Sequence, residues 1–300
     1  MVTRTWIGGG NNDVNNPADW SPTGVPVIGD TIIMTHGTMN IKGSALPDLN
    51  QDVFGALNVE GNVTLNLSDN ANVTPINIQS GTATIHVRGE ASFPLQTDQT
   101  GASAIVDLAA NSHWVGDFSA FAGSIVINGH NRAQFINNAT SSGATVVEPG
   151  TPARVTINAD IGDGSAPIDA FAGATVEIGG SAASGQVFQA NAYSSAFGSS
   201  LDTPGIIKMD HPDQFFGQVQ LGIGEIDLVG LTKANSYSYQ NDMLSIYSCG
   251  RIIDNLSLQQ VPSLPGSGIG SFAVEKTAEG VSIYTVGNIH PTGTLLPMHT

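Results

Sequence analysis

The side chains able to do chemistry are few and widely spaced. The seven histidines are His36, His86, His113, His130, His211, His290 and His299, and no two fall at i, i+2 or i, i+4, so no local metal-ligand pair exists. Cys249 is the one cysteine, which excludes an intrachain disulfide and leaves a structural zinc site without its usual thiolates. Ser267, in Pro265-Gly-Ser-Gly-Ile-Gly270, has neither the glycine spacing nor the following helix of a nucleophile elbow. The run Ile7-Gly-Gly-Gly-Asn11 lacks the Lys-Ser/Thr of a phosphate loop. Acid- and Asn-rich turns offer oxygen ligands for calcium at Asp13, Asp160 and Asp163, without EF-hand or nonapeptide spacing. No organic cofactor is implied; calcium is the one ion these turns would suit.

A second kind of site arises only if distant residues are stacked. Four segments begin alike, at Gly81, Gly101, Gly123 and Gly143, each a glycine, a small residue and a β-branched run, and a fifth starts at Gly173. Periods near 20 with one short strand per repeat mark stacked arrays, whose units bury their apolar faces only against one another. Residues about one repeat apart then stand side by side. Asp107 would neighbour His86 or Asn128, and Glu148 would neighbour Asn128, giving a His-Asp-Asn-Glu ladder instead of the carboxylate pair of a glycoside hydrolase. Arg132 and Arg154 would stack as well, with no Asp cluster beside them as a lyase would need.

The elements that would position these residues are strands. Period-two apolar pairs recur at Leu57-x-Val59, Val63-x-Leu65-x-Leu67, Ile85-x-Val87, Val106-x-Leu108, Ile125-x-Ile127 and Val176-x-Ile178. Turn clusters such as Ser68-Asp-Asn-Ala-Asn72 and Asn128-Gly-His-Asn131 separate them. With 36 glycines, 15 prolines and no long 3.6-residue periodicity, the chain reads as all-β. A parallel β-helix, or β-solenoid, of about nine coils is expected over residues 35–221, with stacked hairpins or a β-sandwich as the competing architectures. Only 11% of residues are charged, with 25 acids against 9 Lys and Arg and a net charge of −16, which argues against nucleic acid as a partner. No transmembrane segment and no N-terminal signal peptide are read.

The ends carry two resemblances. Trp6-Ile-Gly-Gly, Asn16-Pro-Ala-Asp-Trp20, Pro22, Pro26 and Gly29-Asp-Thr-Ile-Ile33 resemble the opening module of bacterial secreted β-solenoid passengers and adhesin-like surface proteins. That likeness implies a cap over residues 1–34, with Trp6 and Trp20 as lids. Gly224-Glu-Ile-Asp-Leu-Val-Gly230, Asp242-Met-Leu-Ser-Ile-Tyr247, Asp254-Asn-Leu-Ser-Leu258 and Gly280-Val-Ser-Ile-Tyr284 resemble the ending of large adhesin-like β-strand-repeat proteins, implying a β module over 222–287 and a tail over 288–300. The implied function is that of a non-catalytic secreted or cell-surface structural protein, reaching the exterior without a visible signal peptide and self-assembling into filaments or matrix, or binding glycan or a cell surface. Trp6, Trp20 and the segment 226–246, with Ile226, Leu228, Tyr237, Tyr239, Leu244 and Ile246, are its candidate contact residues. A polysaccharide lyase or glycoside hydrolase, and a phage-type fibre, are the alternatives.

Overall fold

The computed structural model of the chain describes residues 2–27, 30–43, 57–73, 75–97, 99, 101–118, 123–138, 145–146 (backbone), 153–164, 167–170, 173–190, 204–260, 272–286 and 293–299. Glu148, Ser267 and His290 lie outside them. The chain is all-β with extensive parallel pairing, and it divides into two compact units: residues 1–142 with 158–160, and residues 143–157 with 161–300. Among the described residues no helix is long and apolar enough to cross a membrane.

In the first unit, strands Thr31–Lys42, Leu57–Ser68, Thr82–Arg88, Ser103–Leu108 and Ser124–Gly129 pair in parallel, each with the next. Alternation decides which face is inside. Leu65, Ile85, Val106 and Ile127 stand in one register row, and Val63, Ala83, Ala104 and Ile125 in another, all essentially sealed from solvent. Asn66, His86, Asp107 and Asn128 point the other way by the same alternation. The register is 21 residues from Thr82 to Ser103 and 21 again to Ser124, although the glycines are 20 and 22 apart. The Ser103 amide donates to the Gly81 carbonyl, so Ala102 and not Gly101 holds the place that Gly81 holds one strand earlier. What stays in register is the buried apolar set, because a one-residue slip would turn it outward. Gly81 itself is needed: its φ is +76°, and a Cβ there would lie 2.5 Å from the Gly61 backbone.

A second sheet of this unit stacks Glu90–Ser92, His113–Gly116 and Gln134–Asn137 in parallel. It carries a buried aromatic stack. Trp114 lies 4.9 Å from Phe93 with nearly parallel rings and 4.7 Å from Phe135, which in turn meets Phe118 at 5.5 Å. The Trp114 indole N–H donates to the Phe93 carbonyl at 2.9 Å. At the start of the chain, Trp6 and Trp20 pack edge to face, 5.0 Å apart. Asp19, buried beside them, accepts from the Gly10 amide and the Asn16 side chain. Asp30 accepts from Arg4 at 2.6 Å and from the Val2 and Val27 amides. Burial alone would raise the Asp30 carboxyl, but these partners outweigh it and hold it below the usual carboxylate range.

Most described strands of the second unit pair in two groups. In one, Arg154–Ile157, Thr175–Ile178, Ile206–Met209 and Glu225–Val229 pair in parallel, and Gly280–Thr285 and Phe272–Lys276 then add antiparallel. In the other, Thr145–Val146, Ile168–Ala170, Val187–Ala190, Gln218–Leu221 and Arg251–Gln260 run parallel before two hairpins bring in Met243–Ser248 and Ser236–Gln240. The copy that starts at Gly143 therefore belongs to a different sheet from the copy at Gly173, a correction to the reading of one uniform row. The hairpins turn on Asn241-Asp242 and Cys249-Gly250, all at positive φ, as the twist-matched primed turns require.

Ser236–Gln240 ends its sheet, and an unpaired strand edge is a template for another chain. The tail covers it. Tyr237 donates its amide to the Pro297 carbonyl at 3.1 Å, its carbonyl accepts from the His299 amide at 2.5 Å, and the His299 ring stacks on Tyr247 at 4.4 Å. Ending the chain at residue 293 is expected to expose this edge and make the sedimentation coefficient rise with concentration. Concentration-independent sedimentation of the shortened chain would show that the strap protects nothing.

Candidate functional site

Two polar faces gather the titratable groups. The first lies on the outer face of the first unit's main sheet. There Asn40, Asn66, His86, Asp107 and Asn128 occupy one register position on five successive strands. The Asn66 amide donates to Asn40 Oδ1 at 2.8 Å, the Asn128 amide donates to Asp107 Oδ1 at 2.8 Å, and His86 Nδ1 stands 3.4 Å from Asp107 Oδ2. Asn158 extends the row by donating to Asn128 Oδ1 at 3.1 Å. The His-Asp-Asn part of the sequence-derived ladder is thus present, with Asp107 between both of its expected neighbours. Three asparagines lengthen it: Asn66, which the repeat period of about 20 also reaches from His86, and Asn40 and Asn158, which it does not. Asn40 and Asn158 are legible only from the register, since they sit 26 and 30 residues from their neighbours along the row.

The second face belongs to the second unit. Glu177, Lys208, Asp227, Ser282 and Glu275 form one register row across five strands. Glu177 bridges Arg154 and Lys208, the latter at 2.9 Å. Burial would raise the Glu177 carboxyl, yet the two cations hold it below its usual value, and its hydrogen bond in turn raises Lys208. Asp227 differs. Burial first, then the negative charges of Glu225 and Glu279, push it up to about 6 against the opposing effects of Ser282 and Lys208. The Ser282 hydroxyl donates to Glu225 Oε1 at 2.5 Å and also lies within reach of Asp227. One O–H serves one carboxylate at a time, so the other is better kept protonated. Behind them, Tyr284 donates to buried Glu275 Oε2 at 3.1 Å, and burial with that carboxylate pushes the phenol up to about 12. A cavity of about 390 Å³ opens on this face, bounded by Glu225, Asp227, Lys276 and Glu279. Reading Gly224-Glu-Ile-Asp-Leu only for its apolar positions missed this acid pair. The Glu-x-Asp spacing, which puts both carboxylates on one face of a strand, was the available signal.

The expected contact residues fall elsewhere. Trp6, Trp20, Ile226, Leu228, Leu244 and Ile246 are at most 1% exposed. Side chains sealed within the chain offer a partner no surface, so these six are core and not contact residues. Large, apolar side chains in alternating strands mark the inward positions. Tyr237 and Tyr239 are half-buried against Phe272, and the Tyr239 hydroxyl lies within reach of two acceptors, Asp242 Oδ1 at 2.9 Å and the Leu258 carbonyl at 3.0 Å, and donates to one of them at a time.

Of the calcium candidates, Asp13 Oδ1 accepts from the Asn15 amide and Asp163 Oδ1 from the Gly185 amide, while Asp160 begins a two-residue strand. Among the described residues no three His, Cys, Asp or Glu side chains gather as a metal-binding set. His113 lies between Glu90 and Gln134 in the second sheet, apart from His130.

Compared with family models, curated proteins and solved structures, the chain matches none of them.

Proposed function

We propose that this chain is a non-catalytic, secreted or cell-surface structural protein of the adhesin-like kind, its parallel strands wound as coils of a β-solenoid between the modules 1–34 and 222–287. The observation that carries this reading is the strict register of the outward ladder over the stacked strands of the first unit. Parallel stacking satisfies each backbone amide against a neighbouring strand and repeats one kind of polar side chain at the strand spacing, about 4.8 Å. That arrangement suits a stiff surface presented along its side. The strap over Ser236–Gln240 favours lateral attachment over growth by strand addition. Calcium has no assigned role in this reading.

Incubation of the purified protein with a panel of plant, bacterial and animal polysaccharides tests it. The expected result is retention on one or more glycans with no release of reducing ends or unsaturated products. Product release would overturn the non-catalytic assignment.

A glycoside-hydrolysing centre is the second reading, and one observation favours it. Asp227, protonated up to about pH 6, stands two residues from Glu225 at an open cavity, the pairing of an acid with a carboxylate that such hydrolysis uses.

A further inference from the structure

The ladder of the first unit has a companion. Two residues further along each strand, on the same outer face, Lys42, Ser68 and Arg88 stand in register. The Ala109 amide donates to the Val87 carbonyl and the His130 amide to the Leu108 carbonyl, which carries the row on through Ala109 to His130. Lys42, Arg88 and His130 are exposed.

These cations are conspicuous by where they are. The whole chain has nine Lys and Arg against 25 acids. Arg4, Arg154 and Lys208 are neutralised in ion pairs, whereas Lys42 and Arg88 form none with the described residues. Two acids share the face. Asp107 is already engaged by His86 and Asn128, and Asp69 sits on the rim in a turn. Two depressions, of about 390 and 320 Å³, lie along the rows, and His86 and Arg88 line both. The face therefore combines unneutralised positive charge with a line of amide donors and acceptors repeating at the strand spacing, about 4.8 Å.

We infer that this face binds a linear anionic polysaccharide, its acid groups held by Lys42 and Arg88 and its hydroxyls read by the Asn40–Asn66–His86–Asp107–Asn128 row. Charge-assisted contacts from Arg and Lys supply the attraction, and the regular amides match a polymer whose sugar units also repeat regularly. Nucleic acid fits less well. Apart from the imidazoles, neither row carries an aromatic ring for bases to stack on. The inference deepens the glycan-attachment part of the proposed function and rests on it.

The test uses the full chain and fluorescein-labelled polygalacturonate, with dextran as the neutral control and single-stranded DNA as competitor. The parent is expected to bind polygalacturonate in a salt-sensitive manner and to ignore dextran. Lys42→Ala/Arg88→Ala is expected to weaken binding on the order of tenfold or more, while Arg88→Lys keeps most of it. Arg251→Ala, which removes an exposed cation from the second unit, is expected to change nothing. Unchanged thermal melts of these surface variants would show that any loss is not unfolding. Equal loss in Arg251→Ala, equal binding of dextran, stronger binding of DNA, or no binding by the parent would each overturn the inference. Absence of binding without any cleavage would leave the non-catalytic reading standing, whereas cleavage of the polymer would end that reading instead.

Discussion

Replacing Asp227 with Asn is expected to stabilise the chain at pH 7.5 by about 2–3 kcal/mol and to leave its stability at about pH 3 unchanged. The sign follows from the carboxyl's shift up to about 6, from an ordinary value of 3.8. At about pH 3 and below the group is protonated in both the folded and the unfolded chain, and it costs nothing. As pH rises from about 3 to about 6 the unfolded chain gives up this proton more readily than the folded one, so stability falls. Above about 6 the full penalty remains, roughly 1.4 kcal/mol for each pKa unit. An uncharged amide of the same shape removes it and retains hydrogen-bonding capacity toward Ser282. Urea unfolding of parent and variant at both pH values reads the difference directly. A variant no more stable than the parent at pH 7.5 would show that Asp227 ionises there without cost. The same protein separates the two functional readings. A hydrolase that keeps an acid protonated gives up stability for activity, so in the hydrolytic reading Asp227→Asn loses all turnover. In the structural reading it gains stability and has no turnover to lose.

Trp114→Ala is expected to be the most damaging single change in the first unit, at about 4–5 kcal/mol. It opens a cavity between Phe93 and Phe135, breaks a continuous ring stack, and takes the indole donor from the buried Phe93 carbonyl. Set against a typical domain stability of 5–15 kcal/mol, that is enough to leave much of the unit unfolded at 37 °C. Trp114→Phe keeps most of the ring and loses only the hydrogen bond and part of the volume, so about 1–2 kcal/mol is expected. The two variants should show the same ordering in urea midpoint by circular dichroism. Equal midpoints for both would mean that the stack contributes no more than the lost donor.

The strands were legible from their alternating apolar pairs, because burial on one face of a pleated strand writes a period of two into the sequence. The ladder through His86, Asp107 and Asn128 was legible for the same reason, since equal strand lengths and turns made sequence distance a proxy for register. The proxy failed where the loops varied: Thr175 pairs with Ile206, 31 residues on, and Ile206 with Glu225, only 19 on. The acid pair at Glu225 and Asp227 stayed hidden because its partners, Ser282 and Glu275, arrive from strands some 50 residues later, in an antiparallel sense that no repeat announces. The six buried residues proposed as contacts show the limit of reasoning from residue type, since a large apolar side chain is far more often packed than presented. Taken singly, Lys42 and Arg88 are ordinary exposed cations. Their meaning comes from standing in one row without an ion pair to any described residue.

The measurement that bears most directly on the whole account is electron microscopy of the full chain at micromolar concentration, with and without millimolar calcium. A stacked-strand protein whose terminal edge is strapped by its own tail and which attaches through its side is expected to appear as discrete particles in both conditions. Ordered filaments grown from the full-length chain would contradict it, because they would show the strapped edge to be open to strand addition and would make end-to-end assembly, not lateral attachment, the function of the fold.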